Sequence, residues 1–212
     1  MGNKTSYNSL LNSSFKELKD LWVKTQPVPD DMAQINRELT KKGCLFLHPK
    51  AYWGDEWFSP SESTSISVPF YLAHSKLKKL EKKMIGFAEG ETKKERLKLL
   101  RHEVGHCFDH AYKTSSTKEW KSYFGDPKKA YKPEDYKADP NSIDYVKNLE
   151  DHYSQSHPLE DFAETFAVWL NPKSQWRKKY KNQFKAIEKL NYIDRLVKKH
   201  GNLAPKVGAD TS

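Results

Sequence analysis

The sequence predicts one mainly helical domain with a small β-sheet near its front, an α+β arrangement, and three observations lead there. The chain has 212 residues, enough for one well-filled core and few for two. From residue 75 onward, apolar residues recur mostly at helical spacing. Ahead of that point only two short apolar runs, CLFL (44–47) and ISVPFYL (66–72), read as strands. The expected division is a polar lead-in with helices at 1–42, the domain proper at 43–205 and a disordered tail at 206–212.

In chain order, residues 15–23 form a short amphipathic helix that QPVPDD breaks. A second helix covers 31–42, because Met32, Ile35 and Leu39 fall near helical spacing and Gly43 supplies a stop. A strand follows at 44–47. Residues 51–65, rich in Ser, Pro, Gly and aromatics, read as a loop, and 66–72 as a second extended run in which Pro69 suits an edge. Helices are expected over 76–83 and 93–112, then a Pro- and Tyr-rich loop through 124–142. Helices resume at 143–153, 159–170 and 192–200, with Pro158 at a start and Pro172 just beyond an end. No internal repeat is present.

Composition narrows the function classes. With 36% hydrophobic residues and a mean hydropathy of −0.91, a soluble chain is expected. No run approaches the roughly 20 apolar residues of a membrane span. The N-terminal MGNKTSYNSLLNSSFKELKD lacks the apolar stretch of a secretory signal, so a cytoplasmic location is expected unless a leader was removed. Its first six residues match a myristoylation pattern, one short enough to be met often by chance. Cys44 and Cys107 are too few for a disulfide framework or a Cys-rich zinc knuckle. The formal charge of +9 implies weak attraction to anionic surfaces. Nucleic acid is not an expected partner: the lysines are scattered among acids, as on solvated helix faces, and no nucleic-acid-binding motif accompanies them.

The stretch RHEVGHCFDH (101–110) carries the chemistry. On a helix, Leu97, Leu100, Val104, Cys107, Phe108 and Ala111 share one side, while His102, His106 and Asp109 share the other. Histidines at i and i+4 can both reach one tetrahedral Zn²⁺, and Glu103 beside the first can reach the water it activates. Gly105 leaves room for a close neighbour. A catalytic zinc site needs a third protein ligand. Asp109 lies about 10 Å along the helix axis from His102, too far to close around the same ion, and is better suited to a supporting or structural place. His110 is further still.

The third ligand is expected from HPLEDFAETFAVWL (157–170). There Phe162, Phe166, Trp169 and Leu170 make an apolar face and Glu160 and Glu164 lie one turn apart, with small Ala163 and Ala167 alongside, as if a helix packed closely. The natural division puts Glu160 on the metal and Glu164 behind a ligand histidine, accepting its hydrogen bond and fixing its tautomer.

HEVGH followed by EDFAETF resembles the gluzincins, whose zinc is held by two histidines and a downstream glutamate. The likeness is nearest to the bacterial zinc-binding metallopeptidase family and runs from about Val68 to Leu196 through VPFYLAH, LRHEVGH, YFGD, YSQSHPLEDFAETFAVWL and WRKKY. The pattern also resembles the catalytic domain of anthrax lethal factor and the Pro-Pro endopeptidases. In those enzymes a tyrosine seven positions before the ligand glutamate assists catalysis, which here is Tyr153. The resemblance implies a zincin-like domain and one Zn²⁺ per chain. It also implies peptide or protein substrates.

The expected mechanism has zinc bring the pKa of a water from 15.7 toward about 7 while Glu103 takes its proton and passes it to the leaving amine. Tyr153 would share the developing oxyanion, with His157 or His152 as alternatives. Rival readings are another zinc-dependent amide hydrolase, such as a cell-wall amidase, and a non-catalytic zinc or anionic-surface binding module, against which Glu103 argues. Cys107 falls on the core face as a small hydrophobe. An endopeptidase is expected, with ISVPFYL as the edge that meets the substrate.

Overall fold

The computed structural model describes residues 27–132 and 135–209. The expected helix at 15–23 and residues 210–212 lie outside them. The elements are α1 (Pro29–Lys41), β1 (Lys50–Gly54), β2 (Ser65–Pro69), α2 (Ser75–Ile85), α3 (Lys93–Tyr112), α4 (Lys118–Phe124), α5 (Pro158–Leu170), α6 (Trp176–Lys179) and α7 (Phe184–His200). Helices dominate and the sheet is a two-stranded parallel pair, as the mainly α reading with a small sheet requires.

The helix ends follow local rules. Thr92 and Glu95 form a reciprocal capping box at the start of α3, each side chain meeting the other's backbone N–H. At the start of α5, His157 accepts from the Leu159 N–H and Pro158 takes the first helical position, where its missing donor costs nothing. The helix α1 begins with Pro29, Asp30 and Asp31, acids that suit the positive end of the helix dipole.

Two helices make the centre. α3 and α5 share the most extensive interface, and α7 closes over α5 while α1 covers α3. Leu100, Val104, Cys107 and Phe108 of α3 meet Phe162 and Phe166 of α5 in the core, all fully buried. The close approach runs through Gly105: a Cβ there would lie 2.7 Å from the Ala163 Cα. Two of the small residues expected to permit close packing, Gly105 and Ala163, are thus where the helices touch. Charged residues also cross this body. Arg101 grips Glu38 with two hydrogen bonds of 2.8 Å, tying α1 to α3. Lys189 of α7 holds Asp161 of α5 at 2.6 Å, both buried.

Several expectations are corrected. Residues 44–47 are not a strand: the Cys44 N–H returns to Leu39 O at the end of α1 and the Leu45 N–H goes to Gly201 O, so no ladder forms. The strand lies just after it, in the segment read as loop, where Lys50–Gly54 pairs with Ser65–Pro69 from Lys50 opposite Ser65 to Gly54 opposite Pro69. Pro69 ends β2 and does not mark an outer edge, since β2 is flanked by β1 on one side and by an antiparallel bridge from Ser67 to Phe58 on the other. Residues 143–153 are irregular, with Asp151 and His152 in the left-handed region (φ 56° and 54°). The short helix α4 is additional to those expected, and α7 starts eight residues before the expected position 192. α1 packs into the core, with Ile35 and Leu39 fully buried. The expected tail from residue 206 begins attached: Lys206 N–H donates to Ala111 O and Thr64 N–H to Gly208 O.

Candidate metal centre

The face of α3 that carries the histidines is only partly open: His106 and His110 are half-buried. His102 and Glu103 are 3% and 5% exposed, and the carboxylates of α5 stand against His102. Burial of such groups requires partners, and α5 supplies them.

The Nε2 atoms of His102 and His106 are 3.2 Å apart, and Glu160 Oε2 lies 3.0 Å from the first and 3.2 Å from the second. Tetrahedral Zn²⁺ with bonds of 2.0–2.1 Å spaces its ligand atoms by about 3.3 Å, so three donors already stand at nearly that separation around one point. Among the described residues this is the one group of histidine and acidic side chains close enough to hold a metal ion. Glu164 Oε1 accepts from His102 Nδ1 at 2.9 Å, which leaves the lone pair of Nε2 aimed at the centre. The remaining capacity of Glu164 binds the chain that passes over it, accepting from the N–H groups of Asn148 and Leu149 and from Asn148 Nδ2. That grip takes the N–H groups of Asn148 and Leu149 out of any helical ladder in the stretch expected to be a helix.

The centre attracts positive charge. Burial works against a charged His102, yet its hydrogen bonds to Glu160 and Glu164 hold its pKa well above the ordinary 6.5. Burial likewise opposes charge on Glu160, but His106 and His102 hold its carboxyl far below the usual carboxylate range. A donor set that retains a proton this way is suited to a divalent cation in its place.

The triad lies at a cleft of about 1150 Å³ whose wall also includes Glu103, His110, Tyr153, His157 and Leu159. Burial pushes the Glu103 carboxyl up, as suits a base that must take and release a proton. The Tyr153 ring is 5.7 Å from the His102 ring, and burial with the nearby Glu160 carboxylate keeps its hydroxyl protonated. Its oxygen is 2.5 Å from the Tyr131 hydroxyl, a neighbour that lies in the irregular loop and gave no periodic signal.

Other expected residues take different places. His157 reaches the cleft, but both its nitrogens are used: Nδ1 caps α5 and Nε2 donates to Lys129 O at 2.8 Å. His152 is not in the cleft wall. The Asp109 carboxylate is taken by Thr114 and by the N–H and hydroxyl of Ser115, where it braces the turn after α3. Cys107 is fully buried beside the Ser59 hydroxyl at 3.2 Å, with burial raising its thiol to about 12. Residues 66–72 do not line the cleft; Glu56, Trp57, Phe58 and Ser59, which flank β2 on its outer side, do.

No described helix is long and apolar enough to cross a membrane. No curated protein and no solved structure matches the chain significantly. One family profile does, over residues 71–206, which include every residue of the triad and more than half of the chain. The chain belongs to the family described as "Putative zinc-binding metallo-peptidase".

Proposed function

We propose that the protein is a zinc-dependent endopeptidase in which His102, His106 and Glu160 hold the metal and Glu103 is the general base. The observation that carries this reading is the convergence of three donor atoms within 3.0–3.2 Å of one another in the wall of an open cleft, with a buried carboxyl next along the helix.

Bound Zn²⁺ supplies Lewis-acid polarisation and an activated water. Glu103 accepts the proton of the attacking water and delivers it to the leaving nitrogen; its burial raises the carboxyl above its ordinary range, which favours holding the proton between the two transfers. Glu164 keeps His102 in one tautomer and one orientation. The protonated Tyr153 hydroxyl donates to the oxygen on which charge develops, exchanging its contact with Tyr131 for the substrate. Phe58 turns its carbonyl toward Ser67 at 2.7 Å on the outer side of β2, and its neighbours Trp57 and Ser59 line the cleft. An extended substrate can pair with them, as in strand addition to a sheet edge. A cleft open along that edge suits internal bonds of a chain.

The deciding measurement compares wild type with Glu103→Gln on one cleavable peptide. The variant should retain one equivalent of zinc and lose at least about 10²-fold in hydrolysis. An active, zinc-loaded Glu103→Gln protein would refute the mechanism.

A further inference from the structure

The cleft carries the opposite charge from the protein around it. Over the whole chain 37 basic residues outnumber 28 acidic ones. In the cleft wall the balance reverses: Glu56, Glu89, Glu91, Glu95, Glu150 and Asp151 join the two carboxylates of the reaction centre, against Lys82 and Lys98. Lys82 is already engaged by Glu91 at 2.6 Å, and Glu95 by the Thr92 backbone. Glu56, Glu89, Glu150 and Asp151 remain, all exposed over the residue as a whole, with the Glu89 carboxyl set deeper, where burial raises it above its ordinary range.

These four are not a second metal site. The group able to hold an ion among the described residues is His102, His106 and Glu160, so the wall carboxylates stand too far apart to share one cation. Carboxylates dispersed along a cleft meet separate charges on an extended ligand. Aromatic side chains line the same cleft, from Trp57, Phe58, Phe87 and Tyr131. Rings accept the methylene stems of Lys and Arg and attract their charged heads. The wall thus offers both halves of what a long cationic side chain needs.

We propose that the cleft selects basic polypeptides, in which lysine or arginine side chains flank the scissile bond and meet Glu56, Glu89, Glu150 and Asp151. This rests on the peptidase reading above for the bond that is cut, whereas the charge preference is measurable without turnover. The net positive surface elsewhere makes the selection local. A cationic segment is favoured once it enters the cleft, within the roughly 8 Å over which charges are felt at physiological salt.

The test uses three labelled peptides, identical except that the residues flanking the central bond are lysine, glutamine or glutamate. Their binding to zinc-loaded Glu103→Gln protein is read by fluorescence anisotropy, and their hydrolysis by wild type in parallel. The lysine peptide should bind about tenfold or more tighter than the glutamine peptide, and the glutamate peptide more weakly than both. In the Glu56→Gln/Glu89→Gln/Glu150→Gln variant, whose exposed substitutions leave the fold intact, the series should collapse to within about threefold, as it should at high salt. Equal binding of the three peptides, or a preference unchanged in the triple variant, overturns the proposal. Hydrolysis without charge preference overturns it too while leaving the peptidase reading in place. Binding preference without hydrolysis of any peptide upholds it and counts against the peptidase reading.

Discussion

His102 Nδ1 donates to Glu164 at 2.9 Å while the opposite nitrogen of the same ring stands 3.2 Å from His106 Nε2. One imidazole thus links a buried carboxylate on α5 to the point where the metal donors meet. Because Glu164 also accepts from the backbone of Asn148 and Leu149, the loop that brings Tyr153 to the cleft and the ring that faces the metal are held by the same side chain.

The two glutamates of α5 should therefore differ in what they cost. Glu160→Ala removes a donor and should abolish stoichiometric zinc, as should His102→Ala or His106→Ala. Glu164→Ala should keep the metal but weaken it by about 10- to 100-fold, the usual penalty for losing a group behind a ligand. Competition with a chelator of known affinity measures both. If Glu164→Ala binds zinc as tightly as wild type, the orienting role assigned to it fails.

The tyrosine pair gives a second expectation. With their oxygens 2.5 Å apart, Tyr131 and Tyr153 act on the same space above the centre. Tyr153→Phe should lower kcat with KM little changed, because the lost hydrogen bond is one made to the transition state. Tyr131→Phe should lower kcat less, since it frees Tyr153 without removing it. The double variant should resemble Tyr153→Phe alone, as expected for groups acting as a unit. Additive losses would show the two hydroxyls working independently.

Buried charge makes the third. Lys189 holds Asp161 at 2.6 Å and the Asp144 carbonyl at 3.0 Å, and packs against the Tyr145 ring. Lys189→Met strands a buried carboxylate one residue from Glu160. Breaking such a pair on one side costs about 3–5 kcal/mol. Replacing both partners, Lys189→Met with Asp161→Leu, should recover most of it, and chemical denaturation of the three proteins reads the difference. A single variant as stable as wild type would mean the carboxyl is protonated or hydrated in the native state.

What the sequence made legible was the part governed by helical period. His102 and His106 fall one turn apart, as do Glu160 and Glu164, so spacing alone places each pair on a helix face. The small residues Gly105 and Ala163 announced the contact between those faces. Illegible were the features set by contacts distant in the chain. Residues 143–153 have helix-compatible spacing, but the N–H groups of Asn148 and Leu149 go to Glu164, 16 and 15 residues away, and that of Lys147 to the Tyr180 hydroxyl, 33 residues away. β1 sits in a segment whose Ser and Pro content reads as loop, and it becomes a strand because β2 pairs with it. Tyr131 lies where no period exists, in a loop tied down over the cleft by the His157 hydrogen bond to Lys129 O and by the contact of Tyr131 with Tyr153.

The contact between α3 and α5 gives the sharpest expectation. In an isolated helix Gly105→Ala would stabilise by about 1 kcal/mol, because glycine has the greater freedom to lose. Here the new methyl would sit 2.7 Å from Ala163 Cα and 3.1 Å from its carbonyl oxygen, backbone atoms that no rotamer can move aside. Overpacking typically costs about 1–3 kcal/mol, with occasional larger losses when the backbone must shift, so the steric term wins. Since His102 and His106 are on α3 and Glu160 on α5, separating the helices also spreads the metal donors. Gly105→Ala should therefore lower both the unfolding free energy of the metal-free protein and its zinc affinity. Ala163→Gly should not rescue it, because the nearest atom is the Cα, which glycine keeps. A Gly105→Ala protein of unchanged stability and zinc affinity would show that the two helices can separate without cost, and that the spacing of His102, His106 and Glu160 is not set by their contact.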